Sequence, residues 1–261
     1  MAQVSFHIRD HTAMTPVRAP FGSFLFSELL PPQVLYDFIV QCEDHLRRRG
    51  VHSISITEPP LYYRTSGELL HTLLLNLNYR VSRAELSSGI RIDHISFDDK
   101  IETWEKRKLK QAKAKGFYYK SLPLTELENV YNFILRCRQQ RSHLLSMTLE
   151  EMIKTVDAFK KSFLLSGTYL QSELSAASIA IQVHPKILYN FYSGHLKKYD
   201  EFSPVVMLVN GMYKYCVTHH IQLLDLGTSS LKGLPNFSLL DFKLRLGAVP
   251  SMKLTFEKEL K

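Results

Sequence analysis

The stretch from Ile187 to Ser230, ILYNFYSGHLKKYDEFSPVVMLVNGMYKYCVTHHIQLLDLGTSS, constrains the fold more than any other part of the chain. Ile187–His195 is short and rich in aromatic and β-branched residues, the composition of a strand. Leu196–Ser203 reads as a polar loop. Ser203-Pro204 then supplies an N-cap and a proline at the first helical position, so a helix is expected from there to about His220. Ile221–Leu226 is apolar and runs into Gly227-Thr228-Ser229-Ser230, a strand ending in a turn. Parallel strands joined by a helix, with a loop aimed at the helix N-terminus, make a place where backbone amides hold an anion. The amides of Ser203, Val205 and Val206 are the candidate donors.

The same order of signals occurs earlier in the chain. Val4–Ile8 and Phe21–Ser27 are strand candidates on either side of a loop with Pro16 and Pro20. Pro31-Pro32 opens an amphipathic helix with Val34, Leu35, Phe38, Ile39, Cys42 and Leu46 on one face. Gly50 closes it behind the basic Arg47-Arg48-Arg49. Val51–Thr57 alternates as a strand and Glu58-Pro59-Pro60 stops it. A short helix at Leu69–Leu77 and one or two strands over Tyr79–Asp93 follow. In both regions a strand, a proline-marked helix with a basic tip, a short strand, a leucine-rich helix and a final strand succeed one another. The final strands are Val81–Asp93 and Met252–Leu260. An internal duplication of one α/β unit follows, with domains at 1–97 and 98–261.

The segment between the copies is helical, then stranded. Ile101–Gly116 is a helix with Gly116 as its C-terminal cap and Lys106, Lys110 and Lys113 on one face. Leu124–Gln140 is amphipathic, and Met147–Ser162 opens on a capping box of Thr148 and Glu151. The strands Phe163–Gln171 and Leu174–Val183 complete it. Composition adds three constraints. A chain of 261 residues that is 45% hydrophobic can bury a large core. Its formal charge of +8 favours anionic partners. Three distant cysteines without a CxxC predict free thiols in a reducing compartment. No apolar run is long enough to span a membrane and MAQVSFHIRDH has no signal-peptide core, so a cytoplasmic protein is expected. Cys216 and His220 share a helix face, but two ligands make no metal site, and no metal is expected.

The order of WEKRKLKQAKAKG, ILRCRQQRSHLLSMTLEEM, the two strands and QLLDLGTSS…FSLLDFKLRLGA resembles the GNAT acyltransferase fold. More narrowly, it resembles the FemAB-like group, in which two GNAT-like domains are fused in tandem, and the likeness covers nearly the whole chain. The resemblance implies an α/β protein of two GNAT-like domains, each a mixed central sheet flanked by helices. It implies transfer of an acetyl or aminoacyl group to an amine. The group includes transferases that move amino acids from tRNA onto peptidoglycan precursors. It therefore implies acyl-CoA (acetyl-CoA) as one donor, tRNA as a partner, and a small-molecule or cell-wall-precursor-like acceptor. The chain departs from the GNAT pattern where a glycine-rich loop binds pyrophosphate: HLKKYDEFSPVV stands there, and ELLPPQVL in the first copy. A CoA-type donor would meet Tyr199, Phe202, Ser203, Val205 and Val206. No insertion matches the long helical hairpin that some FemAB-like proteins carry for tRNA.

Acyl transfer to an amine needs a hydrogen-bond donor on the carbonyl and an acceptor for the amine proton. On that template Asp225 orients or deprotonates the nucleophile, or else caps the next turn. Tyr192 donates a proton or is packing, and His195 is a base at a strand end or a solvated loop residue. Arg136, Arg138 and Arg141 lie where this fold class borders its acceptor site. With Lys106, Lys110 and Lys113 they are candidate anion contacts, or else solvated helix faces. Trp104, Tyr118 and Tyr119 are placed to stack on a base or to join the core. Three functions remain open: an N-acyltransferase, a catalytically inactive tandem GNAT protein holding an anionic ligand, and a tRNA-binding module.

Overall fold

The computed structural model describes residues 1–64, 66–231 and 233–260. It divides into two compact units: Met1–Ser87 with Ser229–Asn236 and Ser251–Lys261, and Ser88–Thr228 with Phe237–Pro250.

In the first unit the strands follow the order His7–Arg9, Thr12–Thr15, Ser53–Thr57, Val249–Glu259, Arg80–Arg91. Thr12–Thr15 and Ser53–Thr57 run parallel, with helix Pro32–Arg48 between them in sequence. The helix starts on proline, whose fixed φ suits the first turn and whose missing N–H is lost at no cost there. It buries Leu35, Ile39 and Leu46 in a core with Phe24, Ile54, Ile56, Leu74 and Phe256. Val34, expected on that face, is exposed, and Glu43 is buried instead with its carboxylate taking the Lys258 ammonium. The loop expected around Pro16 contains the strand Thr12–Thr15, and of Phe21–Ser27 only Leu25–Phe26 is strand.

The second unit orders its strands Phe117–Leu122, Phe163–Leu170, Glu173–His184, Ile187–His195, Leu223–Thr228. All these neighbours are antiparallel except the last two, which pair Ile187 with Leu223 and Tyr189 with Asp225 in parallel. Strand alternation separates two cores. Leu164, Ala176, Ala180, Leu188 and Leu224 face helices Thr103–Lys115 and Pro204–Thr218. Leu165, Ala177, Ile179 and Tyr192 face helices Leu127–Gln139 and Leu149–Ala158. Gly116 takes the left-handed cap at φ +96°, and Thr148 with Glu151 closes a capping box.

The duplication is visible in matching helix ends. After Pro32–Arg48, Gly50 is left-handed and Val51 N–H returns to Leu46 O at 3.1 Å. After Pro204–Thr218, His220 is left-handed and Ile221 N–H returns to Cys216 O at 2.9 Å. The later helices end alike: Asn78 and Gly247 are left-handed, and Tyr79 and Ala248 bond back to Leu74 O and Lys243 O at 3.0 and 3.2 Å. This register sets Ser55 against Asp225 and Leu74 against Lys243.

The second copy's final strand joins the first unit, and the first copy's final strand is divided, with Arg80–Ser87 in the first unit. Residues 251–259 lie in the first unit, pairing Thr255 with Thr57 through Glu259 with Ser53. Ser88–Arg91 falls in the second unit, where Ile90 joins the core with Leu224, and Ile92 N–H bonds Gln222 O at 2.8 Å. The division expected at residue 97, which kept each last strand with its own copy, differs from these units for that reason. Strand patterns specify which face is apolar and carry no label for the partner strand.

Candidate functional site

Two buried charged residues of the second unit, Asp225 and Lys243, lie where strand Leu223–Thr228 ends and helix Phe237–Arg245 passes it. Leu224 and Leu226 join the core under the central helix, so Asp225 points to the other face, beside its register partner Tyr189. Asp225 is fully buried, and its Oδ1 accepts from Gly227 N–H at 2.7 Å across a turn in which Gly227 has φ +77°. Lys243 reaches this turn from the helix. Its Nζ donates to Gly227 O and Thr228 O, each at 2.8 Å, leaving the third proton without a protein acceptor among the described residues. At 6% exposure, burial pushes this ammonium down to about 8, against the pull of Asp225 and with a further push from Arg138.

A charge is costly in such a place, and the first unit shows that packing does not need one. The matching position there is Leu74, a wholly buried core residue. Lys243 was not among the sequence candidates. Aligning LLHTLLLNLNY with SLLDFKLRLGA by their helix ends would have exposed it as a lysine in a leucine's place.

Arg138 comes from helix Leu127–Gln139 and donates from Nε to Ser193 O at 3.1 Å, the guanidinium's one hydrogen bond to protein among the described residues. Burial lowers its affinity for its proton, while the nearby Tyr192 and Tyr189 hydroxyls work the other way. Its Nη groups have no hydrogen-bond acceptor among the described residues. Arg141 donates to His195 O at 3.1 Å, and its Nη2 lies 2.9 Å from His195 Nε2. The same Nε2 lies 2.9 Å from Asp200 Oδ1. A guanidinium only donates and a carboxylate only accepts, so Nε2 serves one of them at a time. Burial, then Arg141, lowers the His195 pKa and Asp200 opposes them, which keeps the ring neutral near pH 7. Arg136 is exposed and joins none of this.

Tyr192 is buried with its hydroxyl accepting from Ser146 N–H at 3.0 Å and Met147 N–H at 3.1 Å. The residue weighed as a proton donor or as packing holds the loop before the capping box. Tyr192→Phe leaves two amides without their acceptor and is expected to cost about 1–3 kcal/mol. Hydrogen exchange at Ser146 and Met147 should quicken; unchanged protection there would contradict this role.

No family model matches the sequence, and no curated protein does. Solved structures match closely in shape. FemX aligns over 98% of this chain and 87% of its own, at 13% identity and a TM-score of 0.71. A tandem GNAT protein from the clavulanic acid biosynthesis pathway aligns over 96% of this chain and 76% of its own, at 11% identity and 0.56. The chain has the FemAB-like tandem GNAT fold. The L-PGS of Bacillus licheniformis shares it, over 98% of this chain and 80% of its own, at 12% identity and 0.63.

Within this FemAB-like fold, the start of the central helix differs from the expected anion cradle. Ser203 is left-handed at φ +47° and makes no side-chain cap. Its N–H bonds Asp200 O at 3.2 Å, and Val206 N–H bonds Ser203 O at 2.9 Å, so two of the three candidate amides serve the backbone. The polar loop is a 3-10 helix, Lys197–Phe202, whose bonding forces this turn. Val206 is wholly buried; Val205, Tyr199 and Phe202 pack on the same core, and Phe117 meets both rings. Lys106, Lys110 and Lys113 stand on helix Thr103–Lys115, across the sheet from Arg138; Lys106 lies 3.5 Å from Asp99 and Lys113 3.9 Å from Asp98. Among the described residues no three histidine, cysteine or acidic side chains gather as a metal site, and no helix is long and apolar enough to cross a membrane.

Proposed function

We propose that this chain is an acyltransferase that moves an aminoacyl group from an ester carrier to an amine, with its reaction centre at Lys243. The observation that carries this is a buried lysine ammonium where the internal repeat has Leu74. When the amine nitrogen attacks the acyl carbonyl, the C=O becomes an oxyanion. The third N–H of Lys243 and the Nη groups of Arg138 are donors for that charge, and their mutual repulsion favours an anion near both. The tetrahedral carbon then expels the carrier's oxygen, which leaves with the proton given up by the amine. Asp225 holds the turn that offers Gly227 O and Thr228 O to Lys243, a positioning role.

The choice of donor follows from the central helix. Without a glycine loop, and with the Ser203 and Val206 amides already bonded, a CoA pyrophosphate has no amide cradle there. An aminoacyl ester of tRNA, the donor implied by the FemAB-like resemblance, needs none. A basic chain of formal charge +8 suits that carrier. The acceptor is an amine on a small molecule of the cell-wall-precursor type, the class that the FemAB-like resemblance implies. The test offers labelled aminoacyl-tRNA and labelled acetyl-CoA separately, with lysine-containing cell-wall precursors as acceptors. Label should move from tRNA and stay on CoA. Movement from CoA alone would overturn the choice of donor, and movement from neither would overturn the function.

A further inference from the structure

Strand Phe117–Leu122 ends the sheet of the second unit on one side. Phe163–Leu170 pairs with it through six residues in unbroken antiparallel register. No strand lies along its other side among the described residues. Every second residue of such an edge turns its N–H and C=O outward, a row of donors and acceptors at peptide spacing. Proteins blunt long edges with bulges, prolines or several charges, and this one has no bulge and a single charge, Lys120.

A groove of about 470 Å³ runs beside this edge, between the strand, the end of helix Thr103–Lys115 and one side of helix Pro204–Thr218. Phe117, Tyr118 and Tyr119 all line it. Successive residues of a strand face opposite sides of its sheet, so a groove that touches all three reaches the edge itself. Its floor is closed. A Cβ on Gly211 would come within 2.0 Å of the Tyr119 ring, and the Tyr119 hydroxyl lies 2.9 Å from Ser166 Oγ. Its walls are basic. Lys113 and Lys214 line it, and no acidic residue does among the described ones. Lys113 has only the distant Asp98 at 3.9 Å, and Lys214 has no side-chain partner among the described residues. The groove shares no residue with the Lys243 centre and does not depend on the transfer function.

We infer that this edge docks an extended acidic segment of a partner protein, which adds itself to the sheet as one more strand. The outward N–H and C=O groups alternate, and a peptide accepts from the first while donating to the second. Phosphate oxygens accept and never donate, so a nucleic-acid backbone would leave the edge carbonyls facing negative charge. A second copy of this chain would set Lys113, Lys120 and Lys214 against themselves, like charge on like. An added strand turns every second side chain to the groove side, so acidic residues at alternate positions meet Lys113 and Lys214. The six residues of the edge span about 20 Å, which sets the length of the segment.

The experiment titrates the full chain, at low ionic strength, with a blocked peptide of about seven residues that alternates glutamate with valine. Saturable binding is expected, with slower amide exchange at every second residue of Phe117–Leu122. Lys113→Glu with Lys214→Glu, both exposed and outside the core, should weaken binding about tenfold or more. N-methylated peptides separate strand addition from charge attraction, because the amides of an added strand face the edge and face away in alternation. Methylation of all the glutamate amides and methylation of all the valine amides should therefore differ, one blocking binding and the other sparing it. An oligouridylate RNA of equal charge should bind more weakly than the peptide. The inference is overturned by an absence of saturable binding, by lysine variants that bind as the wild type does, or by equal effects of the two methylation patterns. Tighter binding of the RNA, or a free chain that already dimerises with these edge amides protected, would overturn it as well.

Discussion

Lys243→Met is expected to leave the protein folded, to remove most of its transfer activity, and to change how its stability depends on pH. In the wild type the folded ammonium titrates at about 8, against 10.5 for the ordinary group. Below pH 8 the lysine is charged in both states, and burying it costs roughly 3 kcal/mol relative to an unperturbed amine. Between 8 and 10.5 the unfolded chain holds the proton and the folded chain does not, so stability rises with pH. The wild type should therefore gain roughly 3 kcal/mol over Lys243→Met across that window. At neutral pH the variant escapes the burial cost but strands two carbonyls, each worth about 1–3 kcal/mol, so the two proteins start out close in stability. Urea denaturation of both proteins along a pH series measures the difference. A constant difference would mean that Lys243 is not the buried titrating group described here.

Phe256→Ala is expected to cost about 3–5 kcal/mol and to loosen the first unit, although the residue lies near the far end of the sequence. The ring is wholly buried, 5.0 Å from the ring of His71, in one core with Ile54 and Ile56. Its strand continues from the helix that carries Lys243, yet pairs with Ser53–Thr57. Hydrogen exchange resolved by residue should speed up at Ile54 and Ile56. Loss of protection at Leu224 and Leu188 with Ile54 and Ile56 unchanged would contradict this placement of the final strand.

Much of the fold was legible because its signals are local. Pro32 and Pro204 at helix starts, Gly50 and Gly116 at helix ends, and the box of Thr148 and Glu151 each act through neighbours within one turn. The duplication was legible because those signals recur in the same order. Ser203 misled because Ser-Pro carries an N-cap signature, while the preceding 3-10 turn holds the residue left-handed. His195 looked solvent-facing because nothing near it in sequence announces Arg141, which comes from another element. Lys243 was hidden by its own helix. In Leu239-Leu240-Asp241-Phe242-Lys243-Leu244-Arg245, charge and apolar residues interleave, and a lysine there passes for the solvent side. Only the register with Leu74 separates a lysine facing water from a lysine facing the core. Tyr192 was weighed as a proton donor or as packing, and nothing near it in sequence announces the two loop amides that donate to its hydroxyl.

The most direct test of this account is the single-turnover rate of aminoacyl transfer by wild type and by Lys243→Met, each followed from pH 7 to 9.5. If the ammonium stabilises the oxyanion, the variant should be slower by roughly a hundredfold to a thousandfold at pH 7. The wild-type rate should fall as pH rises through about 8, where Lys243 loses its charge, and the variant's residual rate should show no such fall. A variant as fast as the wild type, or a wild-type rate indifferent to pH across that range, would contradict the assignment of Lys243 as the reaction centre.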